Sequence, residues 1–201
     1  TNITRLTQDG RTVYQSDDTG QECVDRSALS LASILDFAQS ARIEDLRSIL
    51  LPQIQYNTAI AEEGLRGAYG AQVGRTLMTY AHAGDLFARL RAAAAGSDAR
   101  MSGCTLPVVI NSGSGNQGIT VSVPVILYGR SQGVPEDMIY RALALANLTA
   151  IYQKTGIGRL SAYCGAVSAA CGAAAGITWL AGGGLRQIED TVVNGLANVS
   201  G

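Results

Sequence analysis

Residues 110–118 read INSGSGNQG, with three glycines, two serines, two asparagines and a glutamine in nine positions. A stretch this rich in backbone N–H and amide groups suits an anion, and phosphate is the first to test. A P-loop needs G-x-x-x-x-G-K-[ST], its lysine reaching the outer phosphates. Gly113 and Gly118 have that spacing, but Ile119 and Thr120 stand where the lysine and the hydroxyl belong. A dinucleotide fingerprint needs G-x-G-x-x-G between a strand and a helix, followed by an acid on a second strand. Gly113, Gly115 and Gly118 fit its glycines, yet no βαβ pattern surrounds them. What survives is a nest of N–H groups ending at a helix start, an arrangement that attracts anions. Ser112, Ser114, Asn116 and Gln117 add neutral partners suited to a carboxylate or an ammonium group. The same residues equally suit a tight interhelical loop whose glycines simply permit close approach.

Other residues with chemical potential are few. Asp98 and Arg100, in AGSDARMSGCTLP (95–107), are charges in small, apolar surroundings just before the loop. They read as a solvated helix end or as partners for a ligand's charged groups. Cys164 and Cys171 are seven apart, so on a helix they share a face about 10 Å apart, too far for one metal or a disulfide. Cys171 reads as a small buried residue of an Ala/Gly-rich helix. Cys164, beside Ser161 and Tyr163 at the helix start, is better placed to reach a site. With no C-x-x-C pair, the chain alone holds no conventional four-cysteine cluster. His82 is the single histidine and has no second ligand at metal spacing, so it reads as a surface or capping residue. Lys154 is the single lysine, the one residue able to serve a pyridoxal phosphate lyase as Schiff base. Its setting, AIYQKTGIG, reads instead as a helix end where the dipole favours a solvated cation.

The elements that must position these residues are mostly helical. At 201 residues, 47% apolar and 15% charged, the chain is long enough for a proper core and is built for tight packing of small residues. A net charge of −1 gives no basic footprint for nucleic acid or an acidic membrane surface. No run of eighteen apolar residues and no signal-peptide pattern appears. Four cysteines without the dense spacing of a secreted scaffold point to a reducing compartment, the cytoplasm. The opening TNITRLTQDGRTVY alternates around Asp9-Gly10 and predicts a hairpin, which alone is only marginally stable. It reads as the end of a sheet whose other strands lie elsewhere, so 1–25 is taken as a β remnant of a preceding domain and 26–201 as a helical domain cut at its C-terminal end.

From Leu29 the apolar period becomes helical, with Ser27 as a cap. A second helix is predicted from Ile43, with a kink or break at Pro52, continuing towards Leu65. Further helices are predicted at about 71–82, 85–101, 136–153, 159–181 and 185–198, with Pro135 at N1 of the third of these. The segment 119–129 is β-branched and contains Pro124, so it is read as a buried helix starting at 118–122 in preference to a strand. The expected class is mainly α, a bundle of Gly/Ala-rich helices with a small β-hairpin appendage.

Three stretches taken together are more distinctive than any glycine spacing. SDARMSGCTLPVVINSGSGNQGITVSVPVI, LTAIYQ and RLSAYCGAVSAACGAAAGITWL, in this order, resemble the L-cysteine desulfidase family. That family is related to the α chain of iron–sulfur L-serine dehydratases, and the resemblance covers roughly 26–201. It implies a lyase that eliminates the β-substituent of a small amino acid at a [4Fe–4S] cluster held by three cysteines. It implies one ligand here, Cys164. The family's other two ligand motifs are absent from this sequence, and Cys23, Cys104 and Cys171 do not match them. The chain alone is therefore expected to bind no intact cluster and to be inactive. The resemblance also implies that the loop from Asn111 and Ser112 through Gly113, Ser114, Gly115, Asn116 and Gln117 to Gly118 cradles the substrate carboxylate. Asp98, Arg100 and Ser161 are the next candidates, and no base is identified. A cluster-free binding protein is the non-enzymatic alternative. Exposed apolar surface, covered by a homo-oligomer or by further parts of the protein, is expected.

Overall fold

The computed structural model describes residues 5–16, 25–79, 93–158 and 164–198, and among these a hairpin leads into eight helices. Strands β1 (Arg5–Gln8) and β2 (Arg11–Gln15) pair antiparallel, with Leu6 opposite Tyr14. Asp9 and Gly10 turn the chain with φ of 49° and 78°, the left-handed pair a two-residue hairpin requires. Both strands are exposed throughout and pack on none of the described helices.

Helix α1 (Leu31–Ser40) is capped at Ser30, three residues later than the expected Ser27. Ser30 accepts from the Ser33 N–H at 3.1 Å, and the Ser33 hydroxyl accepts from the Ser30 N–H at 2.9 Å, a reciprocal capping box. Ser27 instead donates to Asp25 from both its N–H and its hydroxyl. Helix α2 (Ile43–Arg66) runs unbroken through Pro52, because Leu50, Gln53, Ile54 and Asn57 are buried on the turns around it. Tertiary burial here outweighs the lost backbone hydrogen bond.

Helices α3 (Val73–Thr79), α4 (Ala93–Met101), α6 (Glu136–Ile157), α7 (Gly165–Leu180) and α8 (Leu185–Ala197) overlap the remaining predicted helices, whose stretches 80–82, 85–92 and 159–163 lie outside the described residues. Pro135 takes the N-cap of α6 rather than N1, and α6 continues to Ile157 before Gly158 turns with φ 76°. The ambiguous segment is helical and longer than expected: α5 (Gly115–Ser131) begins at Gly115 and carries Pro124 inside. Its β-branched residues are tolerated because the helix is buried nearly all round, by Ile119, Val121, Val123, Val125 and Ile126 among others. No described helix is long and apolar enough to cross a membrane.

Close backbone approach organises the bundle. A Cβ on Gly172 would meet the Ala146 carbonyl, and one on Gly176 would meet that of Ala142, so α7 lies antiparallel along α6. The main core joins α1, α2, α5, α6, α7 and α8 around Ile34, Ile54, Val125, Tyr140, Leu143 and Ile188. A smaller one joins α2, α4 and α5 through Ile60, Ala99, Ile119 and Val123. Between these two cores emerges the glycine loop.

Candidate functional site

The loop is set by what flanks it. Past the end of α4, Gly103 (φ 89°) turns the chain, and the Cys104 N–H returns to the Ala99 carbonyl at 3.0 Å. The chain then extends to Ile110 along α2, held by Asn57, whose side chain is fully buried. Asn57 Oδ1 accepts from the Val109 N–H at 2.8 Å, and its Nδ2 donates to the Val109 carbonyl at 3.1 Å. The same Nδ2 donates to Ser122 Oγ at 2.9 Å, tying the segment to α5. Asn57 thus takes the part of a neighbouring strand. A Cβ on Gly118 would collide with the Val109 carbonyl from the other side.

Residues 111–114 form a two-residue turn. Asn111 and Ser114 exchange both backbone hydrogen bonds, at 3.1 and 3.0 Å, while Ser112 (φ 49°) and Gly113 (φ 82°) occupy the left-handed region. Gly113 does so freely, but Ser112 is strained there and lies exposed at the tip. Asn111 anchors the base through Nδ2, donating to Asn147 Oδ1 at 2.9 Å, and Asn147 exchanges two bonds with Gln53 on α2. Asn111 Oδ1 accepts from the Ser112 hydroxyl at 2.9 Å. Gln53, Asn57 and Asn147 were missed in the sequence. The available signal was a polar residue on an apolar helical stripe, as Gln53 and Asn57 are between Leu50, Ile54 and Ile60.

Ser114 caps α5, its hydroxyl accepting from the Gln117 N–H at 3.4 Å. Among the described residues, the N–H groups of Gly115 and Asn116 have no acceptor. They are the orphan donors of the first turn, at the positive end of the helix dipole. Arg100 lies over this turn, donating from Nη1 to Asn116 Oδ1 at 3.1 Å, and its guanidinium occupies the space a Cβ on Gly115 would need. Gln117 reaches the start of α7, filling the place of a Cβ on Gly165. Its buried Oε1 has no partner among the described residues. The N-cap of α7 is Cys164, exposed and with no side-chain capping bond. The structure therefore brings together the loop, Arg100 and Cys164, with Gln117 as the bridge.

Asp98 faces elsewhere. Its Oδ2 accepts from the Val73 N–H at 2.7 Å, fixing the start of α3, and it forms no ion pair with Arg100. Ser161, Tyr163, His82 and Cys23 lie outside the described residues. Lys154 sits in the last turn of α6, and the Gly158 N–H closes the helix on its carbonyl.

Among the described cysteines only Cys164 is exposed; Cys104 is half-buried, and burial pushes the Cys171 thiol up. No group of three or more His, Cys, Asp or Glu among the described residues could hold a metal ion. A cluster does not fit the described residues by themselves, and Cys164 is the exposed thiol among them.

A mainly helical chain with a capped, glycine-rich helix start beside an exposed cysteine is the class that fold and site define. Residues 10–201 match the family described as the serine dehydratase alpha chain, and the chain belongs to that family. It is 57% identical to a UPF0597 protein of Lachnoclostridium phytofermentans, over 100% of this chain and 49% of the relative. It is 50% identical to one of Desulfitobacterium hafniense (100% and 47%) and 43% identical to one of Treponema denticola (100% and 49%). The chain spans about half the length of the curated relatives it matches. No solved structure matches it.

Proposed function

We propose that this chain forms part of an iron–sulfur lyase that eliminates the β-substituent of a small amino acid. L-cysteine would give pyruvate, ammonia and sulfide; L-serine would give pyruvate and ammonia. The observation that carries this reading is the pair of unpaired N–H groups at Gly115 and Asn116, next to Ser114 and joined through Gln117 to the Cys164 end of α7. That place suits a carboxylate on electrostatic grounds. Membership of a family described as a serine dehydratase alpha chain supplies the reaction class.

A [4Fe–4S] cluster, with Cys164 as one ligand and the others from outside the described residues, would supply a Lewis acid for the leaving group. The residues of this chain do the remaining work. Gly115 and Asn116 bind the carboxylate, Ser114 holds their turn, and Arg100 orients Asn116. Ser161, three positions before Cys164 in the sequence, is a further polar candidate. Asp98 is engaged with the start of α3.

The test is anaerobic reconstitution of the full-length protein with iron and sulfide, followed by pyruvate assays on L-cysteine and L-serine. Cys164→Ala is expected to lose iron and turnover together. Ser114→Ala is expected to keep its iron while kcat/KM falls about tenfold. A full-length protein that takes up no iron, or a Cys164→Ala variant with unchanged turnover, overturns the reading.

A further inference from the structure

Beside the loop, on the side of α1, two cavities of about 370 and about 320 Å³ adjoin, with Phe37 and Leu148 lining both. Their walls are α1, α2, α6 and residues 109–112. Large apolar side chains stand open on them: Phe37 is 48% exposed, Ile49 70% and Ile110 57%. Single exposed aliphatics are ordinary, but three around one apolar groove mark a surface meant to be covered.

The polar groups in the walls do not invite a polar ligand. Asn147 Nδ2 donates to Gln53 Oε1 and the Leu143 carbonyl, both at 2.8 Å, while its Oδ1 accepts from Gln53 and Asn111. Asn111 Oδ1 accepts from Ser112. At the far end, the Ser33 hydroxyl donates to the Ala28 carbonyl at 2.9 Å and accepts from the Ser30 N–H. A serine or cysteine molecule in this groove would lose water around its charges and meet groups already paired. Apolar side chains would lose nothing.

We propose that the groove seats apolar side chains from the polypeptide that the relatives carry outside the matched segment. The chain covers only 49% and 47% of two of these relatives, so about as much polypeptide again is available to reach it. A segment of the same polypeptide meets the groove at high effective concentration, an advantage a second copy lacks. Seated against Ile110, it borders Asn111 and Ser112 and covers the exposed turn from the α1 side. The groove's occupant does not depend on which reaction the protein catalyses.

Single cysteines at Ile49→Cys and Ile110→Cys in the full-length protein, with Glu189→Cys on exposed α8 as reference, test this by maleimide labelling read peptide by peptide. Positions 49 and 110 are expected to label about tenfold or more slowly than 189, at every protein concentration. Labelling as fast as at 189 overturns the proposal. Protection that disappears on dilution also overturns it, since the occupant is then a second copy.

Discussion

Replacing Asn57 by alanine removes the side chain that substitutes for a strand beside Val109. Three hydrogen bonds are lost: to the Val109 N–H, to the Val109 carbonyl and to Ser122 Oγ. Ser122 keeps its bond to the Gly118 carbonyl at 2.7 Å, so the unpaired groups are those of Val109. At about 1 kcal/mol per hydrogen bond the cost is about 3 kcal/mol, a large share of a typical domain's stability. With a urea m-value of about 3 kcal/mol/M, the unfolding midpoint falls by about 1 M. Asn57→Leu separates this cause from simple packing. Leucine fills the volume but offers Val109 neither donor nor acceptor, so its midpoint should fall nearly as far. Hydrogen exchange at the Val109 amide should accelerate in both variants. A leucine variant as stable as the parent, with Val109 still protected, would refute the assignment of Asn57 as the loop's anchor.

Gly118→Ala puts a methyl group where the Val109 carbonyl lies, and backbone cannot swing aside as a flexible side chain can. A loss of about 1–3 kcal/mol in urea unfolding is expected, and a neutral result would mean that the close approach is dispensable. Tyr69 donates to Glu63 Oε1 at 3.0 Å, and this bond to a carboxylate is the main reason its phenol is pushed up to about 12. The folded value exceeds the ordinary 10.0 of a free phenol, so the contribution is fully present below about pH 10 and is lost as pH rises towards about 12. Urea midpoints of the parent should therefore approach those of Tyr69→Phe across that interval; parallel profiles would contradict the bond.

Much of the architecture is legible in the sequence because it rests on local chemistry. Asp9-Gly10 specifies its own turn, and the apolar stripes of α1 and α8 need no distant partner to be recognised. The prolines mislead for a physical reason. Pro52 and Pro124 each remove one backbone donor, yet the helices around them bury enough apolar side chain to continue. Ser30 displaced Ser27 as a cap because Ser27 is engaged with Asp25, while Ser30 and Ser33 pair reciprocally at the helix start. The anchoring amides are a different matter. Asn57 meets Val109 across 52 positions, and Gln53 meets Asn147 across 94, so their pairing exists only once the helices are docked. Gln117 on Gly165 is of the same kind, and it is what carries α5 to the cysteine.

The two readings of the glycine loop, anion nest and tight packing, draw on different atoms. Of the loop's glycines Gly113, Gly115 and Gly118, Gly113 alone uses a left-handed torsion. Gly115 makes room for Arg100, Gly118 for the Val109 carbonyl and Gly165 for Gln117, so three of the site's glycines serve close approach. That packing fixes where the first turn of α5 points, because a helix crowded on both sides by backbone and guanidinium cannot rotate. The Gly115 and Asn116 N–H groups are left as the unspent donors of that fixed turn. Tight packing therefore does not compete with anion binding. In the reading proposed above, it supplies the preorganisation by which two otherwise ordinary N–H groups would hold a carboxylate.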